Sequence, residues 1–327
     1  MKRSLNVLML GGAKRVSMAR LFVETAAKMG YNAHMYSFEL GEDVPIASVA
    51  EVITGGKWSD SDLPRQLHDA CIEKKIDIIL PFVDGAVEVA ATYCKTNPQV
   101  WAPVSKPDVC RAMFDKKLTD EIMRANDIPV PRVVDTPEPQ FFPVIAKPRT
   151  GSASKGIKVI RSLEQWRGLD IDLDKYIVQE YIQNRREYTL DCYVDHEGNV
   201  LALSPRLRLE VVGGEVSRTV TVSLPKGEDI ALKAINAAGL RGAVTVQLIE
   251  NIDSGELLLM EINPRLGGGA VCSVYAGVNL PYMIISDWLC RPLEFMAPTP
   301  NVEMTRYMQE VVFGPDKRRI INLKSNF

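Results

Sequence analysis

Histidine is scarce in this sequence and cysteine is never closely paired. Only His34, His68 and His196 occur among the 327 residues, none at ligand spacing from another, which argues against a zinc site or a histidine-based triad. The six cysteines are scattered with no Cys-x-x-Cys pair, so the expectation is reduced, mostly buried thiols in a cytoplasmic protein rather than a disulfide framework. An excess of one charge is missing too: 39 Lys and Arg against 41 Asp and Glu leave a net charge of -2, with no footprint for gripping nucleic acid. No uncharged run approaches the ~18 apolar residues of a membrane span. The apolar stretch Leu5–Leu10 runs into Gly11-Gly12 too soon for a signal peptide and reads as a first strand. Neither nucleic acid nor membrane is therefore an expected partner. The side chains left for chemistry are Lys, Arg, Glu, Asp, Asn and Gln, which suit phosphate and magnesium.

Length alone suggests about two domains. The first hundred or so residues alternate apolar strands with amphipathic helices: Leu5–Leu10, Asn32–Phe38, Val49–Ile53, Ile76–Pro81 and Val100–Val104 as strands, with helices between several of them. This βα alternation predicts an α/β, doubly wound, Rossmann-like sheet with ligands at the carboxyl ends of its strands. Gly11-Gly12-Ala13-Lys14-Arg15 lacks the full Gly-x-Gly-x-x-Gly pattern of a dinucleotide site. One helix is expected from Lys106 to about Asn126, ended by Ile128-Pro129-Val130-Pro131. Beyond the proline-rich connector 135–143, short strands dominate, which predicts an α+β arrangement with mostly antiparallel pairing.

A hairpin near the C-terminal end carries the sharpest geometric expectation. Strands Ala243–Ile252 and Leu257–Asn263 flank Asp253-Ser254-Gly255. Pairing Ile252 with Glu256 sets Gln247 opposite Glu261, with Asn263 on the same face, while Val244, Val246, Leu248, Leu258, Met260 and Ile262 form an apolar face. Two amides and a carboxylate gathered at one end suit magnesium, or equally a solvated hairpin end. The stretch Lys147-Pro148-Arg149-Thr150-Gly151-Ser152-Ala153-Ser154-Lys155-Gly156 joins a strand-end lysine to a loop of small residues that lets backbone N–H groups approach phosphate, or is an ordinary hairpin loop. The strand Tyr176–Ile182 could offer backbone groups to a purine edge. Arg206 and Arg208 alternate on one strand, where either or both could pair with a substrate carboxylate. Asp84 and Glu88, one helical turn apart, could hold an amine or simply cap and solvate their helix.

Taken in order, Asp115-Lys116-Lys117, the Lys147 strand and its loop, Gln179-Glu180-Tyr181-Ile182, Glu187, Gln247 and Glu261-Ile262-Asn263-Pro264-Arg265 with Leu266-Gly267-Gly268-Gly269 resemble the ATP-grasp superfamily. Within it they resemble the grasp modules of the carbamoyl-phosphate synthase large subunit most. The resemblance implies a pre-ATP-grasp, Rossmann-like domain over 1–107, then an ATP-grasp fold of two lobes: a small lid subdomain over 108–183 and a large subdomain over 184–327. It implies Lys116 and Lys147 on the phosphates of ATP, with residues 150–156, including Gly151, Ser152, Ser154 and Gly156, as a lid. Adenine contacts fall on Glu180, Tyr181 and Ile182, and the ribose carboxylate on Glu187. Gln247, Glu261 and Asn263 match ligands of Mg2+ (or Mn2+), and Arg265 matches the residue that steadies the transferring phosphoryl group.

The implied activity is an ADP-forming carboxylate–amine ligase acting on small-molecule acid and amine substrates, with a homodimer as one assembly. The synthase carries two such halves and an allosteric domain, and this sequence carries one half. Bicarbonate or carbamate phosphorylation within a multi-chain enzyme is therefore the alternative. A nucleotide-binding regulator without turnover is the contrasting class.

Overall fold

The computed structural model describes residues 3–151, 156–315 and 319, so Ser152 and Ser154 of the expected lid lie outside the described residues. The chain divides into two compact units, one holding the stretch up to Pro107 together with Asn279–Glu294 and residues from Arg306 on, the other Asp108–Val278 with Phe295–Thr305.

In the first unit, β1 (Arg3–Leu10), α1 (Val16–Lys28), β2 (Tyr31–Glu39), β3 (Glu51–Thr54), α2 (Leu63–Glu73), β4 (Ile78–Pro81) and α3 (Asp84–Thr96) alternate along the chain. The strands pair in parallel in the order β3-β2-β1-β4. Leu5, Val7, Leu8, Met9, Leu10 and Ile78 are fully buried, as apolar strands covered by helices must be. The expected strand Val100–Val104 contracts to one bridge between Trp101 and Ile78, because Pro103 has no N–H to extend the ladder.

The second unit opens with α4 (Pro107–Phe114) and α5 (Lys116–Ala125), two helices where the sequence suggested one. The break is Asp115, which is extended at φ -93°, ψ 104° and accepts hydrogen bonds from the N–H groups of Lys117 and Leu118 as an N-cap. Its carboxylate also pairs with Arg149. Then come β5 (Val144–Pro148), β6 (Lys158–Ile160), α6 (Leu163–Arg167) and β7 (Tyr176–Glu180), with the three strands in an antiparallel sheet ordered β6-β5-β7 over Val134, Val144, Ala146, Ile160, Trp166 and Val178. The remaining elements are β8 (Arg185–Val194), β9 (Val200–Val212), β10 (Glu215–Thr221), α7 (Pro225–Ala238), β11 (Gly242–Asn251), β12 (Glu256–Asn263), α8 (Ala270–Tyr275), α9 (Leu280–Trp288) and β13 (Glu303–Thr305). A six-stranded sheet runs β12-β11-β8-β9-β10-β13. Helix α9 belongs to the first unit, where it packs on α1 and sets Trp288 edge-on to Tyr31.

One face of the six-stranded sheet builds a core with Leu190, Cys192, Val244, Val246, Leu248, Leu259 and Ile262 against Ala231, Ala234 and Ile235 of α7. The opposite face is polar, and at its centre lies a buried ion pair. Nε and Nη2 of Arg206 donate to Oδ2 and Oδ1 of Asp191 at 2.7 and 3.1 Å. Ser273 of α8 donates to Asp191 Oδ2 at 2.6 Å, and Ser204 donates to Ser273 at 2.8 Å. Arg206 is 1% exposed and Asp191 2%, so this guanidinium is committed to a protein carboxylate and is not offered to a substrate as the sequence suggested. Gly269 makes room for the pair, since a Cβ there would lie 2.6 Å from Nη1 of Arg206.

Removing one partner of such a pair leaves an uncompensated buried charge, at a cost of about 3–5 kcal/mol. Asp191→Ala is therefore expected to lower the unfolding free energy in urea by that amount, and the joint change Asp191→Leu with Arg206→Met by much less. A single-variant loss below about 1 kcal/mol would contradict the assignment.

Candidate active site

Strand register gathers the expected site residues on the polar face of the six-stranded sheet. One cross-strand row reads Glu261, Gln247, Thr189, Arg206, Thr221. A second reads Asn263, Thr245, Asp191, Ser204. A third sets Leu258, Ile249 and Glu187 in line. Gln247 does lie opposite Glu261, but by a different route from the one the sequence suggested. Asn251, not Ile252, pairs with Glu256, so the turn is one residue longer, with Gly255 at φ +71°. An unbroken ladder from there would set Gln247 against Met260. A bulge between Gln247 and Leu248 inserts the extra residue that restores Glu261. The same bulge sends Leu259 to the core. Leu258 and Met260, expected on the core face, pack instead with Ile182 and Ile249 in a small apolar cluster.

A pocket opens between this sheet and the three-stranded one, lined by Met113, Lys116, Thr119, Asp120, Val130, Lys147, Gln179, Leu259, Met260 and Glu261. Lys147, at the end of β5, donates from Nζ to Oε1 of Gln179 at 2.8 Å. Burial and the neighbouring Lys116 pull its ammonium down to about 8, against the opposing pull of Glu261, Asp120 and Glu187. Lys116, at the start of α5, donates from Nζ to the carbonyl of Gly151 at 2.8 Å, and its own N–H donates to the carbonyl of Arg149 at 2.9 Å. With the Asp115–Arg149 pair, these bonds pin the beginning of the glycine-bounded loop to α5. Burial pushes the Asp115 carboxyl up, but Arg149 and the helix N–H groups hold it below its ordinary value.

Glu187 is gripped at both oxygens, by Nε of Arg185 at 3.0 Å and Nη1 of Arg208 at 3.2 Å. Arg208 also lies 3.5 Å from Oε1 of Gln247, so it links the third row to the first. In the run expected to meet adenine, the Glu180 N–H donates to Arg132 and the Tyr181 N–H to Pro143. The Ile182 carbonyl accepts from Arg185, whose guanidinium sits 5.1 Å from the centre of the Tyr181 ring. Asn263, 5% exposed, accepts from Nη2 of Arg265 at 3.2 Å, and the Arg265 carbonyl accepts from Thr245 at 2.9 Å.

Lys116, Lys147 and Glu261 thus share one pocket, with Gln247, Asn263, Glu187 and Arg208 on the adjoining sheet face and Arg265 just beyond the end of β12. Asp84 and Glu88 stand in the first two turns of α3 in the other unit. Gln179 and Asp120 were not expected as site residues. Their signal was a polar residue interrupting an apolar strand and an acid on the inner face of a helix, each 5% exposed. Among the described residues no cluster of three His, Cys, Asp or Glu side chains could hold a metal by itself. A carboxylate with two amides beside two lysines instead fits an ion that takes most of its ligands from phosphate and water.

Comparison with known proteins agrees with this geometry. A family model described as ATP-grasp in the biosynthetic pathway with Ter operon matches residues 172–310. The mitochondrial methylcrotonoyl-CoA carboxylase subunit alpha of Oryza sativa subsp. japonica is 25% identical over 189 residues, covering 49% of this chain and 26% of that protein. The carbamoyl phosphate synthase large chain of Thermotoga sp. (strain RQ2) is 22% identical over 253 residues, covering 66% of this chain and 23% of that protein. This chain spans about a quarter of the length of these two relatives. The biotin carboxylase domain of Hydrogenobacter thermophilus 2-oxoglutarate carboxylase, solved with MgADP, ADP and bicarbonate, superposes with a TM-score of 0.72 at 17% identity over 91% of this chain and 72% of that one. Residues 172–310, which carry most of the six-stranded sheet and the Glu-Ile-Asn-Pro-Arg run at its polar face, thus match an ATP-grasp family model, and the chain is similar in sequence to the carbamoyl phosphate synthase large chain.

Proposed function

We propose that this chain is an ATP- and magnesium-dependent ligase that activates a carboxylate as an acyl-phosphate and passes the acyl group to an amine, releasing ADP and phosphate. The observation that carries the reading is the meeting of Lys116 and Lys147 with Glu261 in one pocket, cations and acid arriving on different elements. Lys116 and Lys147 hold the polyphosphate. Gln247, Glu261 and Asn263 hold the magnesium ion, which when bound supplies charge neutralisation at the phosphate oxygens. The Ile182, Ile249, Leu258 and Met260 cluster supplies an apolar wall for the base, with Glu180 and Tyr181 beside it, and Glu187 faces the ribose. In the first step a carboxylate oxygen of the substrate attacks the γ-phosphorus and ADP leaves. In the second the amine nitrogen attacks the acyl carbon, phosphate leaves, and the amine gives up a proton. Arg265 neutralises charge on the moving phosphoryl group. The protein contributes position and electrostatics rather than covalent chemistry. Of the two strand-face arginines, Arg206 is committed to the buried Asp191, and Arg208, paired with Glu187 within the site itself, is the one assigned to a substrate acid. A cytoplasmic location and a dimer belong to the same reading.

A second reading is phosphorylation of bicarbonate or carbamate. It is favoured by the similarity to carbamoyl phosphate synthase and by the bicarbonate bound in the Hydrogenobacter thermophilus structure. Release of ADP and phosphate from MgATP separates the two. Dependence on an amino acid or other organic acid supports the ligase, dependence on bicarbonate supports the second reading, and nucleotide binding without release leaves a regulator.

Glu261→Ala is expected to lower ATP-dependent ADP release by about a hundredfold or more, because it removes the one carboxylate of the metal set. Near wild-type release in that variant would contradict the assignment. The Lys147 ammonium gives a second test. Below pH 8 the free protein already carries this proton, so MgADP affinity should be flat. Above it, binding must recover the proton, and affinity should fall by up to about tenfold per pH unit. Calorimetry at pH 8.5 in two buffers of different ionisation enthalpy should register proton uptake, and its absence would contradict a phosphate role for Lys147.

A further inference from the structure

A lysine on a four-carbon stem is a poor fixed point for a phosphate, and what fixes Lys147 is built into the pocket wall beside it. Its Nζ donates to Oε1 of Gln179 at 2.8 Å. Nε2 of Gln179 donates to Oδ1 of Asp120 at 2.8 Å, and Oδ2 of Asp120 accepts from Nε of Arg124 at 2.7 Å. Gln179 and Asp120 are each 5% exposed, while the Arg124 side chain is 45% exposed. The polarity of this chain is fixed by chemistry: an ammonium only donates and an ionised carboxylate only accepts, so the amide between them has a single orientation. Burial raises the Asp120 carboxyl above its ordinary value, against the opposing pull of Arg124, Gln179 and Lys147, and it is the donors on both of its oxygens, Arg124 Nε and Gln179 Nε2, that set its acceptor role. Asp120 also sits one helical turn after Lys116 on α5, so one buried carboxylate ties the helix that carries the first cation to the strands that carry the second.

We propose that Asp120 and Gln179 are positioning residues for Lys147: the Arg124–Asp120–Gln179 chain imposes the direction of the amide and so holds the ammonium where it meets the nucleotide's phosphates. This rests on the reading of the pocket as a nucleotide site.

Asp120→Asn turns the claim into a directional test. Arg124 would demand the one remaining side-chain oxygen at position 120, leaving the new amide N–H facing Gln179. Gln179 would then turn its own oxygen to that N–H and its NH2 group to Lys147, donor against donor. Asp120→Asn should therefore weaken MgADP binding, measured by calorimetry at pH 7, by about tenfold or more. Adding Arg124→Met frees the side-chain oxygen at position 120 to accept from Gln179 again, and affinity should return to within about threefold of wild type. Gln179→Leu removes the amide altogether. Its loss should match that of Asp120→Asn and should not be relieved by Arg124→Met. A merely structural role for Asp120 would make the second change add to the damage of the first.

Wild-type affinity in Asp120→Asn, no relief in the double variant, or relief of Gln179→Leu by Arg124→Met would each overturn the proposal. In those cases the nucleotide reading stands, because the wild-type protein binds. A wild-type protein that does not bind MgADP overturns both.

Discussion

Charges of opposite sign, Lys147 from β5 and Glu261 from β12, share a pocket whose other walls include Met113, Val130, Leu259 and Met260. Removal from water disfavours the charged form of Lys147, which is why its ammonium is pulled down to about 8. Such a site gains most from a ligand that brings its own charge, negative towards the lysines and paired with a cation towards the acid. A polyphosphate with a divalent ion has that distribution. The surrounding architecture serves to keep these few groups in one place while leaving the pocket open.

Two devices do most of that work. The first is the bulge in the β11–β12 ladder. One inserted residue gives β12 two different faces, so that Leu259 and Ile262 enter the core while Leu258, Met260 and Glu261 are delivered to the site. The second is a set of buried polar ties that fasten flexible side chains to regular elements. Asp191 and Ser273 secure Arg206 and α8 beneath the glycine run after Arg265, and Asp120 with Gln179 secures Lys147. In each tie the buried carboxylate accepts hydrogen bonds at both oxygens, the condition under which a buried charge adds specificity of geometry rather than plain cost.

Much of this was legible in the sequence, for identifiable reasons. The parallel sheet of the first unit announced itself through strands apolar on both faces, and the Glu-Ile-Asn-Pro-Arg run through its residue types. The pairing of Gln247 with Glu261 was legible for a less secure reason. The turn is one residue longer than assumed and the bulge adds one residue on the other strand, so two offsets cancel. What the sequence hid were the partners of buried polar groups. Gln179 and Asp120 lie 59 positions apart, and neither has a periodicity that names the other. Arg206 looked like a substrate ligand because its alternation with Arg208 was visible, whereas its distance from Asp191 was not. Asp115 split a helix that periodicity alone made continuous, because a cap signal inside an amphipathic run competes with propensity.

The central claim is that metal and nucleotide meet at this pocket as one unit. A set of one carboxylate and two amides is too weak to retain a divalent ion alone and needs phosphate oxygens to complete the shell. Electron paramagnetic resonance of Mn2+ titrated into the wild-type protein measures this directly. The account predicts little bound Mn2+ without nucleotide and tight binding once ADP is present. Equal Mn2+ binding with and without ADP, or none in either case, would contradict it.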